Sequence, residues 1–192
     1  METSEKKNVL FLCETNACRS LMAEALLRDL AGDTYEAHSA GTNPADAIHP
    51  YTLAVMQEIG IDLSSSQPKH LSEVAHIPFE RVITVSEQAK EAVYELPAVK
   101  EHFDWSFQDP TNFEKETSLK GSTNLEETDD ESTNGDRRMY HFRRVREEIK
   151  RRLCLWHEVD CRFDKSASTQ EASTPKVSTP KVSTPEGVTP EG

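Results

Sequence analysis

Eight consecutive residues, Cys13-Glu14-Thr15-Asn16-Ala17-Cys18-Arg19-Ser20, have the types and spacing to hold and attack a tetrahedral oxyanion. A loop running from a strand end into a helix start points successive backbone N–H groups inward and adds the positive end of the helix dipole. Cysteines in such a field are drawn towards the nucleophilic thiolate, which makes Cys13 the candidate nucleophile. Arg19 is spaced to return to the same centre and give two parallel N–H bonds to equatorial oxygens, a fork that lysine lacks. Ser20 is a candidate donor to the Cys13 sulfur, and Glu14, Thr15, Asn16, Ala17 and Cys18 supply the rest of the substrate-binding loop. A cysteine that only filled a core strand would continue into apolar residues, whereas Glu14-Thr15-Asn16 is polar.

The flanking elements must place that loop. Val9-Leu10-Phe11-Leu12 is an apolar run of the buried-strand type, and Leu21 to Arg28 combines helix formers with helical spacing. Tyr35 to Thr42 reads as a second strand ending at Gly41. Tyr51 to Ile59 reads as a helix with Leu53, Met56 and Ile59 on one face and a stop at Gly60. After a polar connection, Leu71 to Ala75 makes a helical turn and Arg81 to Val85 a third strand. Ser86 to Tyr94 is expected as a helix capped by Ser86, and His102 to Phe107 as a fourth strand. Arg137 to Trp156 carries Met139, Phe142, Val145, Ile149, Leu153 and Trp156 on one helical stripe.

Strands and helices therefore alternate. The expected fold class is α/β, doubly wound, with a mostly parallel four-stranded sheet and helices on both faces. Such sheets bind ligands at the carboxyl ends of their strands, which is where Cys13 falls. Asp109 precedes Pro110 just beyond the fourth strand, and proline drives the residue before it out of helix. From the residues alone, Asp109 is equally a general acid on a stiff loop and a turn residue.

With 192 residues and 35% apolar content, the chain is long for one domain and lean in core material. The expected body is residues 7–163. An acidic flexible insertion at 111–136 holds eight Asp and Glu against Lys115 and Lys120. The following stretch, 137–152, holds eight Arg and Lys against Glu147 and Glu148, and reads as a solvated basic helix face beside that insertion. A five-residue Ser-Thr-Pro-Lys-Val repeat marks 166–192 as a disordered tail. The net charge of −12 argues against nucleic acid as a partner. No apolar run approaches a membrane span and the N-terminus has no signal-type segment, so no membrane association and a cytoplasmic location are expected. Four cysteines then read as reduced, chemically active thiols.

The run from Val9 through Leu27 resembles the opening of the low-molecular-weight protein tyrosine phosphatase superfamily, and more closely its arsenate reductase branch. The resemblance continues through His38-Ser39-Ala40-Gly41-Thr42, Met56 to Asp62, Val82 to Val85, Trp105 to Pro110 and Phe142 to Ile149. It implies a phosphotyrosine phosphatase I-like fold, with Cys13 attacking phosphorus or arsenic. Arg19 and the loop amides would stabilise the equatorial oxygens, and Asp109 would protonate the leaving oxygen. Phosphotyrosine enzymes of the superfamily place a tyrosine pair after Asp-Pro, where this chain has Thr111-Asn112-Phe113.

Thioredoxin-linked reductases of the family use two more cysteines as a relay. Alignment puts those positions at Ser86 and Val93. The redox candidates that remain are Cys18 inside the loop, and Cys154 and Cys161, which repeat the relay spacing near the chain's last helix. Cys154, His157 and Cys161 offer only three ligands, so no metal is expected. No cofactor is expected beyond an external thiol donor such as thioredoxin or glutathione. The expected function is thiol-dependent reduction of arsenate to arsenite. The alternatives are a phosphatase hydrolysing phosphomonoesters through a Cys13 phosphoenzyme, and a non-catalytic phosphate-binding regulatory module.

Overall fold

The apolar run at 9–12 becomes the middle of a sheet that is covered on both faces. In the computed structural model, which describes residues 5–112 and 131–168, strand β1 spans Lys7–Cys13. It pairs in parallel with β2 (Tyr35–Gly41) and with β3 (Phe79–Thr84). β3 in turn pairs in parallel with β4 (Val99–Asp104), giving the order β2-β1-β3-β4. Every pairing is parallel, so Cys13, Gly41, Thr84 and Asp104 reach the same edge of the sheet.

Side chains alternate along a strand. Val9, Phe11 and Cys13 therefore enter one core with helix α1 (Arg19–Ala31), α2 (Pro50–Gln57) and the long helix α4 (Glu131–Ser168). Leu10 and Leu12 enter a second core with α3 (Leu71–Val74) and the connection before β4. Gly60 closes α2 with φ of +79°, a left-handed position that glycine adopts freely.

Three expectations change. The stretch 86–94 is two short 3-10 helices, Glu87–Ala89 and Glu91–Glu95, not one α-helix, and Ser86 makes no side-chain capping bond. Ala89, Ala92, Val93 and Leu96 still reach the second core, so the apolar spacing survives the tighter winding. The fourth strand lies three residues earlier than expected. Asp104 ends it by accepting from both the Ser106 N–H and hydroxyl, which turns the chain. Finally, α4 begins inside the expected insertion and continues beyond Trp156 into the first residues of the expected tail. No Gly or Pro interrupts residues 136–174 to stop it.

The rest of the insertion, 113–130, and of the tail, 169–192, lie outside the described residues. The chain divides into two compact units, 1–158 and 159–192, and the site lies in the first. No helix among the described residues is long and apolar enough to cross a membrane.

The basic helix stretch is more engaged than a solvated face. Arg143 and Arg146 both bond Glu58 at the end of α2, and Arg146 also donates to the Val55 carbonyl. The Arg152 guanidinium lies over the Trp105 ring at 5.5 Å, and that of Arg81 over the Trp156 ring at 5.2 Å. These contacts join α4 to α2, to β3 and to the segment after β4.

Candidate active site

The loop between β1 and α1 is turned inside out by its neighbours. The segment after β2 donates backbone N–H groups to its carbonyls: Thr42 to Cys13 at 3.1 Å, Asn43 to Glu14 at 2.8 Å, Ala45 to Thr15 at 2.9 Å and His49 to Ala17 at 3.1 Å. The Thr52 hydroxyl adds a second bond to the Ala17 carbonyl at 3.2 Å. In a planar trans peptide the N–H opposes the C=O. Carbonyls held outward by this strap leave the amides of Glu14, Thr15, Asn16 and Cys18 facing the cradle. The Asn16 amide accordingly donates to the Cys13 sulfur at 3.2 Å.

Gly41 makes room for this crossing. A Cβ there would sit 2.6 Å from the Glu14 carbonyl oxygen and 3.0 Å from the Asn16 nitrogen. Asn16 itself adopts φ of +47°, a left-handed position that asparagine tolerates better than most residues. Its side chain fixes that turn. Nδ2 donates to the Ser20 hydroxyl at 2.8 Å and to Ser39 at 2.9 Å, and Oδ1 accepts from the Lys69 backbone N–H at 2.7 Å.

Ser20 accepts from Asn16, and its hydroxyl lies 2.9 Å from the Cys13 sulfur, to which it donates when that sulfur is a thiolate. Ser39 donates onward to the Glu24 carboxylate, which also meets Arg28 at 2.6 Å and the Lys69 ammonium at 3.7 Å. The sulfur therefore heads a buried polar chain through Ser20, Asn16 and Ser39 to Glu24. Sequence reading missed its far half and the strap. A charged Glu24 inside Met22-Ala23-Glu24-Ala25-Leu26 was the available signal, since a buried carboxylate needs partners.

Arg19 is buried at the first turn of α1. Its guanidinium donates to the Phe107 carbonyl at 3.0 Å and to Asp109 Oδ2 at 2.6 Å. Asp109 thus stands at the cradle although it lies 90 residues away in sequence. Its other oxygen, Oδ1, accepts from the Thr111 N–H at 2.9 Å and hydroxyl at 2.7 Å. Cys13, Arg19, Ser20 and Asp109 are brought together, with Glu14 and Thr15 half-buried at the loop's exposed side.

The remaining thiols are placed differently. Cys18 is buried, and burial foremost pushes its thiol up to about 12. Cys154 is half-buried on α4, and the side chain of Cys161 lies outside the described residues. Ser86 is buried, and among the described residues its hydroxyl has no hydrogen-bond partner.

The family model for low molecular weight phosphotyrosine protein phosphatase matches residues 8–165. This chain belongs to that family. Within it, the chain is 32% identical over 154 residues to an arsenate reductase of Halalkalibacterium halodurans, covering 80% of this chain and 97% of that one. Among solved structures it is similar to a thioredoxin-dependent arsenate reductase of Corynebacterium glutamicum. That match has 29% identity and a TM-score of 0.57, over 82% of this chain and 64% of the other. The tyrosine phosphatase Wzb of Escherichia coli K30, solved with sulphate, shares the fold at 17% identity and a TM-score of 0.57, over 80% of this chain and 98% of that one. The family's members, reductases and phosphatases alike, are enzymes.

Proposed function

We propose that this chain reduces arsenate to arsenite, using Cys13 as nucleophile and an external thiol as electron donor. The observation that carries this reading is the complete cradle, with two donors on the Cys13 sulfur and Arg19 paired to Asp109, in a chain similar along nearly its whole body to an arsenate reductase. The Cys13 sulfur attacks arsenic, and an As–O bond breaks as Asp109 gives its proton to the leaving oxygen, which departs as water. Loop amides and Arg19 hold the equatorial oxygens through the transition state.

An external thiolate then attacks the Cys13 sulfur. The S–As electron pair stays with arsenic, As(V) becomes As(III), and arsenite leaves a mixed disulfide on Cys13. A second thiol reduces that disulfide and restores the enzyme. Attack from outside is favoured because Ser86 and Val93 carry no sulfur, and because a thiol raised to about 12 leaves Cys18 protonated at neutral pH. The thioredoxin dependence of the similar corynebacterial protein supports a donor of this class.

The absent relay pair also favours a second reading, phosphomonoester hydrolysis, because water resolves a phosphoenzyme without any second thiol. Purified protein assayed for arsenite formation, with thioredoxin or glutathione, and for aryl phosphate hydrolysis separates the two. Arsenite formation that Cys13→Ser abolishes, and that Asp109→Asn slows at least about tenfold, is expected. Hydrolysis without arsenite formation overturns the reductase reading in favour of the phosphatase. Full activity of Cys13→Ser in both assays overturns both.

A further inference from the structure

We propose that Thr111 is a positioning residue that makes Oδ2 of Asp109 the atom that delivers the proton. The inference rests on Asp109 acting as general acid. A carboxyl group has two oxygens, and only a proton on the one facing the leaving oxygen is useful. In this site the two oxygens are not equivalent. Oδ1 accepts from both the Thr111 N–H and the Thr111 hydroxyl, at 2.9 and 2.7 Å. Among the described residues, Oδ2 meets the Arg19 guanidinium alone, at 2.6 Å, on the cradle side.

A proton on Oδ1 would be set against two hydrogen-bond donors, whereas the same proton on Oδ2 faces none once Arg19 turns to an oxyanion. Thr111 is well placed to impose this choice. Pro110 stiffens the chain between the two residues, and the Asn112 N–H closes the turn onto the Asp109 carbonyl at 3.2 Å. When Oδ2 has released its proton, the two Thr111 donors remain to hold the resulting carboxylate. The proton returns from water.

The test compares Thr111→Val, Thr111→Ser, Asp109→Asn and the double variant Asp109→Asn/Thr111→Val with the unaltered full chain. Arsenite formation and phenyl phosphate hydrolysis are both followed, with thermal melts as a check on folding. Valine keeps the shape and the backbone N–H but removes the hydroxyl donor. The expected result for Thr111→Val is a kcat about fivefold lower, the scale of one hydrogen bond, with KM for the oxyanion unchanged. Thr111→Ser is expected within about twofold of the parent, and Thr111→Val is expected to add nothing in the Asp109→Asn background.

A merely structural threonine would instead lower melting temperature, change KM and remain costly in the double variant. If Asp109→Asn is slow while Thr111→Val matches the parent, the Thr111 proposal falls and the general acid stands. If Asp109→Asn is not slow in either reaction, the general acid falls and Thr111 with it. An additive loss in the double variant also overturns the proposal.

Discussion

Single residues in this protein show how unevenly polar groups are treated. The Asn16 side chain makes three hydrogen bonds while its backbone sits in a left-handed turn, so the cradle's least favourable residue is also its most firmly held. Ser86 is the opposite case, a buried hydroxyl with no hydrogen-bond partner among the described residues. An unsatisfied buried donor costs about 1 kcal/mol or more. Ser86→Ala is therefore expected to raise the melting temperature by roughly 2–4 °C, read by calorimetry, with arsenite formation unchanged. Cys13 and Arg19 stood out in the sequence because strand, polar loop and helix lie consecutively, whereas Asp109 read equally as a turn residue from Asp-Pro alone and was singled out as an acid only through the family resemblance. Glu24, Ser39 and Lys69 did not stand out, because α1, β2 and the loop before α3 must fold together before those side chains meet.

At the scale of elements, the regular parts followed from periodicity and the boundaries followed from side chains acting on their own backbone. β4 ends where Asp104 captures the Ser106 N–H and hydroxyl. The same carboxylate meets Lys90 at 2.6 Å, which ties the strand's exit to the 3-10 stretch. Burial pushes Asp104 up, but Lys90 and Ser106 outweigh it and hold the carboxyl down at about 2. A carboxylate with a depressed folded value stabilises fully above its ordinary range and loses that contribution as pH falls through the folded value. Asp104→Asn is expected to melt lower than the parent at neutral pH, with the gap closing as pH falls from about 4 towards 2. A gap that is constant over that range would show that the ion pair is not its source.

β2 supplies a second element-scale prediction through its last residue. Gly41→Ala places a methyl against the Glu14 carbonyl, and either the strap or the loop must shift. The protein is expected to fold, as judged by circular dichroism, while kcat/KM for arsenate drops about 10- to 100-fold because the amides are misaimed.

Over the whole molecule, a parallel sheet brings residues far apart in sequence to one edge, and this explains both what was legible and what was not. The order of elements and the two covered faces follow from apolar runs that alternate with helical stripes. The role of the segment 42–49 does not, because Thr-Asn-Pro-Ala-Asp carries no chemistry of its own, only backbone N–H groups whose targets are set by tertiary packing. That strap has a consequence for what counts as the smallest anion receptor in this family. A synthetic peptide of residues 7–31 would contain the thiol, the arginine and every cradle amide, yet its carbonyls would be free to turn inward and repel the ion. It is expected to show no phosphate binding by nuclear magnetic resonance titration at concentrations that saturate the full chain. Recognition here is a property of two distant segments laid side by side, and the eight-residue signature is one half of the receptor.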